Sequence, residues 1–290
     1  MARVAFIMDK IMHTMGLHGK SFIPLVMGLG CNVPAIMATR TLESKKDRII
    51  TILINPLISC SARLPVYLLF IGIFFRNNKT MVLLSLYLLG IALAVILAKV
   101  FRSLFFREST SPPLIMELPP YHSPNLTTLL FHTWCRIRLF LKKAGSIIFL
   151  GVVISWALAY LPLGVEYGSA GSLIGRLGKF LAPILKPAGF GYWQMAVALL
   201  FGIVAKEIVV STLGTLYGDE RALKTAIAHY FSPLSAYAFM IMTLIYIPCL
   251  ATIATIKQEA GWKWALISVG YSLFLGWSLA VIVYQVGKLF

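Results

Sequence analysis

The sequence has few charged residues, and acidic ones are the scarcest. Only 12% of the 290 residues are charged, with ten Asp and Glu against 26 Lys and Arg, whereas soluble domains carry about 25% charged residues. Apolar residues make up 59% of the chain, and several runs approach or exceed about 18 residues with few or no charges, the length that crosses a bilayer. This composition excludes an ordinary soluble domain and predicts an all-α, polytopic integral membrane protein.

Motifs of enzymes and of nucleotide binding are also missing. HExxH, GxSxG and the dinucleotide fingerprint do not occur. Residues 16–21 end in Gly-Lys-Ser, but Thr14 stands where a phosphate loop needs its first glycine, so we interpret this segment as an ordinary loop. No two of the four cysteines form a close pair, which disfavours a disulfide framework or a zinc knuckle. We therefore expect no enzyme activity, no catalytic residue and no permanently bound cofactor.

The basic residues lie between the apolar runs. Because they flank spans, the net charge of +16 is explained by the positive-inside rule rather than by nucleic-acid binding, and we expect no nucleic-acid partner. With residues 22–39 taken as re-entrant, the count of Lys and Arg favours a multi-pass protein with both termini in the cytoplasm. The six predicted spans are 49–75, 80–98, 144–161, 192–216, 234–256 and 262–284.

The stretch 28–40 departs most from a plain span. It reads Gly-Leu-Gly-Cys-Asn-Val-Pro-Ala-Ile-Met-Ala-Thr-Arg and places Cys31 and Asn32 beside the helix breakers Gly30 and Pro34. A broken backbone at membrane depth is tolerated only where it is buried in protein or lines a polar cavity. The stretch therefore predicts a re-entrant or discontinuous helix with a thiol and an amide at the break.

Two further cysteines lie in similar surroundings. Cys249 follows Pro248, which removes a helix hydrogen bond, and Cys60 lies between two serines. Two breaks in separate halves of a chain indicate a transporter site built from repeats, and thiolates suit soft or borderline divalent ions. The alternatives stay open that Cys31 is a small apolar core residue and that the serines bond to their own helix.

Three charged residues lie within predicted spans, namely Arg63, Lys206 and Glu207. Charges at that depth are costly and mark functional sites, so Glu207 is a candidate hard ligand. Arg63 and Lys206 are candidates for a gating or a structural charge. An ion pair between Arg63 and Glu207 that fixes helix packing is the alternative.

The sequence resembles the membrane part of the ferrous iron transporter B (FeoB) family. The resemblance rests on Gly-Leu-Gly-Cys-Asn-Val-Pro within 19–42 and on Ser-Cys-Ser-Ala-Arg-Leu-Pro within 59–67. It continues in 116–122, 205–213 and 246–252, so it extends over most of the chain. It implies a gate-type inverted repeat with Cys31 and Cys249 as iron-contacting thiols, and it implies Fe²⁺ as the transported ion.

The resemblance also implies a setting. Family members begin with a GTPase domain, which this sequence does not show, so we expect a GTPase-bearing FeoB chain and small FeoA- or FeoC-type proteins as partners. Membrane lipid and further copies of the chain, as a homo-oligomer, complete the expected partners, in the bacterial inner membrane. The alternatives are a non-transporting structural or regulatory subunit and a gate-type carrier of another solute such as a nucleoside.

The same comparison divides the chain into four segments. The remainder of a first gate module is expected in 1–45, a central FeoB C-terminal-type membrane segment in 46–105, a cytoplasmic basic connection in 106–143 and the second gate module with the last helix in 144–290.

Overall fold

The computed structural model describes residues 7–10, 12–13, 16–105, 125–161, 171–217 and 220–289, and all regular structure within them is helical. The prediction of an all-α fold is therefore confirmed. The helices are α1 (Phe22–Gly30), α2 (Asn32–Ala38), α3 (Lys45–Ile54), α4 (Leu64–Phe74), α5 (Lys79–Phe105), α6 (Leu126–Tyr160), α7 (Leu173–Leu185), α8 (Trp193–Val204), α9 (Ile208–Tyr217), α10 (Glu220–Tyr230), α11 (Pro233–Ile245), α12 (Leu250–Ala260) and α13 (Trp262–Leu289).

Four helical stretches of the described chain are long and apolar enough to cross a membrane. A fifth results if Leu173–Ala188 and Trp193–Val204, which meet at 102°, are counted as one span. Two of the four, α3–α4 and α11–α12, are spans with an interrupted backbone. The four stretches are Lys45–Phe74, Lys79–Phe105, Pro233–Ala260 and Trp262–Leu289. They confirm a multi-pass membrane protein.

Residues 192–216, which we predicted as one span, form a hairpin of α8 and α9 instead. The helix ends at Ala205, whose backbone is extended (φ −149°, ψ 134°). Gly202 allows the close approach, because a Cβ there would lie 2.6 Å from Val209 Cγ2 on α9 and even closer to the Tyr246 hydroxyl. Helices α1 and α2 pack against each other in the same way around Cys31 (φ −149°, ψ 132°), as expected for a re-entrant segment.

The two hairpins enter the bundle from opposite ends. The chain before α1 lies beside the end of α5, since Arg102 donates to the Gly16 carbonyl oxygen. The start of α8 lies beside the start of α11, since the rings of Tyr192 and Tyr230 are 5.0 Å apart. Together with the two interrupted spans, which run in opposite directions, the hairpins form a gate-type inverted repeat.

Because α8 and α9 fold back, the segments after them lie on the opposite side from the one that six crossings would give. Arg40 and Arg48 both contact Glu259. The rings of Phe105 and Trp264 are 5.3 Å apart. The turn before α13 therefore lies at the same end of the bundle as residues 40–48. The layout with six crossings placed these two segments on opposite sides. It differs from the structure because 192–216 does not cross.

Residues 126–160 form one 35-residue helix, α6. The basic stretch expected near 125–143 and the span expected at 144–161 are thus continuous. The motif at 116–122 and most of the expected basic connection, residues 106–124, lie outside the described residues. The four-segment division of the chain stays a prediction.

Substituting Gly202 tests the close approach of α8 and α9. We expect Gly202→Ala to destabilise the protein by about 1–3 kcal/mol, the usual cost of overpacking a tight contact. Gly214→Ala, in the other helix of the same hairpin, is the matched control, because no atom lies within 4 Å of its added Cβ. Thermal unfolding of the purified proteins in detergent measures both. Equal unfolding temperatures would contradict the packing described.

Candidate functional site

Four interruptions of the helical backbone meet around one cavity of about 210 Å³. They lie at Cys31, at Ile58–Cys60, at Ala205–Glu207 and at Tyr246–Cys249. Gly30, Ser61 and Glu207 on its lining are exposed, so the cavity is open on that side. The complete lining is Gly30, Cys31, Asn32, Val33, Cys60, Ser61, Ala62, Val204, Ala205, Lys206, Glu207, Pro248, Cys249, Ala251 and Thr252.

All three cysteines proposed as ion contacts line this cavity, and each immediately precedes a helical segment. Cys31 precedes α2, Cys249 precedes α12, and Cys60 precedes the short 3-10 helix Ser61–Arg63 that continues into α4. The N-terminal end of a helix favours a negative charge, which is the charge a thiolate ligand carries. The local fold therefore suits these thiols to metal contact. The fourth cysteine, Cys135, belongs to α6.

The structure pairs residues of the two halves of the repeat differently from the sequence comparison. Cys60 (φ −81°, ψ 159°) and Cys249 (φ −63°, ψ 154°) hold the same place, as the last extended residue in an interrupted span. Cys31 corresponds to Ala205, since both are at a hairpin tip with almost identical dihedrals. The sequence compared Cys31 with Cys249 because both are near a proline, which does not distinguish a hairpin from a span.

Asn32 lies beside the thiols and offers an oxygen. Its side chain is 6% exposed, and Oδ1 has no hydrogen-bond partner in the described part of the chain. Asn55 Oδ1, on the other side of Gly28, is likewise buried without a partner there. A buried oxygen without a partner is costly, so a cation in the cavity would stabilise Asn32, which lines it.

Cys249 also has a polar neighbour. Its Sγ lies 3.1 Å from Oγ1 of Thr252, one turn further along α12. Thr252 was not a predicted site residue, because a threonine in a span usually bonds to its own helix. Ser61 also lines the cavity; its hydroxyl donates to the Gly30 carbonyl oxygen at 2.8 Å and so links the second interruption to the first hairpin.

Arg63 is buried behind the cavity and does not line it. Its Nη1 donates to the Ile58 carbonyl oxygen at 3.1 Å and its Nη2 to the Pro56 carbonyl oxygen at 2.8 Å. These carbonyl groups are the ones that the interrupted backbone leaves without helical partners. Among the described residues no ion pair joins Arg63 to Glu207, so the structure supports a role for Arg63 in stabilising the interruption.

Lys206 and Glu207 point to different surroundings. Lys206 is buried, donates to the Thr243 carbonyl oxygen at 3.3 Å and lies 4.1 Å above the ring of Tyr246. It thus stabilises the end of α11. Glu207 is exposed at the opening of the cavity, where it places an acidic side chain.

The thiols line one cavity without forming a closed coordination shell. Cys31, Cys60, Cys249 and Glu207 all line this cavity. In the described part of the chain, however, no three His, Cys, Asp or Glu side chains are placed to hold one metal ion together.

An inverted pair of hairpins and interrupted spans that meet around one cavity is an arrangement typical of transporter folds. Comparison with known families agrees. The Gate (nucleoside recognition) model matches residues 1–74 and 141–263, and the model of the ferrous iron transport protein B C terminus matches 83–136. The chain therefore belongs to the Gate family, as the C-terminal membrane region of the FeoB type.

Three relatives align with the whole length of this chain. It is 54% identical to Fe(2+) transporter FeoB of Methanocaldococcus jannaschii and 46% identical to that of Staphylococcus aureus, with all of the chain and 44% of each relative covered. It is also 46% identical to a Fe(2+) transport protein A/FeoB fusion protein of Porphyromonas gingivalis, 40% of which is covered. The chain thus spans less than half the length of these relatives. No solved structure matches it.

Proposed function

We propose that this chain forms the membrane path through which an FeoB-type system transports Fe²⁺. The observation that carries the proposal is the convergence of Cys31, Cys60 and Cys249 from three separate backbone interruptions on one cavity. Relatives named as Fe(2+) transporters are 54% and 46% identical to this chain over its full length, which supports the same proposal. The ion is the cargo of the chain and not its cofactor.

The chemistry of the lining fits ferrous iron. Ferrous iron, a borderline ion, accepts sulfur and oxygen ligands, and the cavity offers both. Glu207 at the opening attracts the hydrated ion, Asn32 supplies an oxygen, and the three thiols replace water in turn. Because the thiols belong to different interruptions, a movement of one hairpin changes which of them contact the ion.

The proposal also includes the orientation of the chain in the membrane and its partner proteins. We place the end of the bundle that carries residues 40–48, four of which are Lys or Arg, in the cytoplasm, because positive charge accumulates there. The last residues of α13 then lie on the other side, where Gln285 contacts Pro187, so this proposal departs from the expectation that both termini are cytoplasmic. A GTPase-bearing FeoB part and FeoA- or FeoC-type proteins act from the cytoplasm; one relative is itself an FeoA fusion.

A nucleoside is the competing cargo, since the matching family model is named for nucleoside recognition. The cavity of about 210 Å³ is smaller than the usual pocket for an organic ligand, roughly 300–1,000 Å³. Its lining also offers few groups that recognise a base or a ribose. The size and the thiols both favour a small ion.

Uptake measured in proteoliposomes tests the proposal. We expect labelled Fe²⁺ to enter vesicles that contain the chain together with the remainder of its transport system, and unlabelled Fe²⁺ to compete. Nucleosides and Mg²⁺ in large excess should leave uptake unchanged. Competition by a nucleoside, with no effect of unlabelled Fe²⁺, would contradict iron as the cargo and favour the carrier of an organic solute.

A further inference from the structure

The cavity is blocked at the end of the bundle that carries residues 40–48. Helices α2 and α12 both start at the cavity and run side by side towards that end. Between the cavity and the surface, Ile36 of α2, Ile52 of α3 and Ile256 of α12 form one fully buried apolar cluster. We call these three residues the apolar plug. A hydrated ion does not pass a dry apolar constriction.

A group of charges closes the structure beyond the plug. The Glu259 side chain is 2% exposed and accepts from Arg40 Nη2 at 2.5 Å and from Arg48 Nη2 at 2.6 Å. Arg48 Nη2 also lies 3.3 Å from the Glu259 carbonyl oxygen. We call these three residues the Glu259 clamp. The hydrogen bonds from Arg40 to Glu259 raise the pKa of Arg40 above its usual value.

The clamp joins the two halves of the repeat. Arg40 belongs to the connection between α2 and α3, and Arg48 belongs to the first turn of α3. Glu259 belongs to the last turn of α12, about 10 Å along that helix from Thr252 in the cavity. Opening a path between cavity and surface at this end requires α12 to separate from α2 and α3. That movement breaks both ion pairs of Glu259 at once.

We propose that the Glu259 clamp and the apolar plug form the closed gate of the ion path at the end of the bundle that carries residues 40–48. The inference rests on the proposed function, in which an ion leaves the cavity towards this end. The clamp sets how often the gate opens, and the plug excludes water and ions while the gate is closed. Opening exposes the cavity thiols to that side.

The native thiols report this opening directly. In a Cys135→Ser background, a charged, membrane-impermeant thiol reagent is added on the side where a Lys46→Cys variant is labelled, and the modification rate of Cys249 is measured by mass spectrometry. We expect Glu259→Gln to raise that rate about fivefold, since a partly exposed ion pair is worth up to about 1 kcal/mol, which corresponds to about fivefold. The Arg40→Gln, Arg48→Gln double variant should raise the modification rate of Cys249 similarly. It replaces Glu259→Gln in the test if that variant does not fold.

Glu43→Gln is the matched control, because Glu43 forms an exposed ion pair with Lys20 at 2.6 Å in the same region. Its modification rate should equal that of the parent. An unchanged rate in both clamp variants, or an equal rise in the control, would overturn the proposal. Absent Fe²⁺ uptake by the reconstituted parent, with the clamp response intact, would instead reject only the iron cargo.

Discussion

A Cys31→Ser, Cys249→Ser double variant is expected to lose Fe²⁺ uptake by at least about tenfold, because even residues that only orient metal ligands cost about 10–100-fold when they are removed. Serine keeps the shape of the lining but is a far poorer ligand for ferrous iron than a thiolate. Initial rates of labelled Fe²⁺ uptake in proteoliposomes, at several iron concentrations, measure the effect. Adding Cys60→Ser should lower the remaining rate further, since Cys60 lines the same cavity.

Cys135→Ser is the control for this experiment. Cys135 belongs to α6 and is not part of the cavity lining, so its loss should leave uptake unchanged. Equal protein levels and equal unfolding temperatures separate a lost ligand from a lost fold. Full uptake by the double variant would exclude a relay of ion contacts through the thiols.

Arg63→Met is expected to cost about 2–4 kcal/mol of stability, because it leaves the buried carbonyl groups of Pro56 and Ile58 without donors. Arg63→Lys should cost less, since an ammonium group restores a positive charge but not the two parallel hydrogen bonds. Thermal unfolding in detergent measures both. Arg76→Met, at an exposed arginine in the turn after α4, is the matched control.

The two variants of Arg63 also distinguish a structural role of this residue from a role in the ion path. If Arg63 stabilises the interruption, Arg63→Lys transports iron in proportion to the folded protein that remains. A fully folded Arg63→Lys protein without uptake would instead assign the arginine to the ion path. Unchanged stability in Arg63→Met would contradict the hydrogen bonds described.

The sequence alone indicates the thiol-bearing and charged residues of the cavity, because each is chemically out of place in a span. A cysteine beside helix breakers, or a charge at membrane depth, is visible without a structure. Cys31, Cys60, Cys249, Lys206 and Glu207 were predicted for this reason, and the structure brings them to one cavity. Their role as ion contacts stays a proposal that the variants above test.

Other features leave no such local signal. The hairpin tip at Ala205 contains no proline, and its turn depends on contacts of Gly202 with Val209 and Tyr246 that only the fold reveals. The sequence therefore predicts a span there. This error places all later segments on the wrong side relative to residues 40–48. The Glu259 clamp joins residues 219 positions apart, a pairing that local composition cannot indicate.

Protection of the cavity thiols by the ion tests the central claim most directly. Each cysteine of the purified protein is alkylated under anaerobic conditions, and its rate is read by mass spectrometry with and without Fe²⁺. The account predicts that Fe²⁺ slows alkylation of Cys31, Cys60 and Cys249, that Mg²⁺ does not, and that Cys135 reacts equally in all samples. Equal alkylation of the three cavity thiols with and without saturating Fe²⁺ would contradict it.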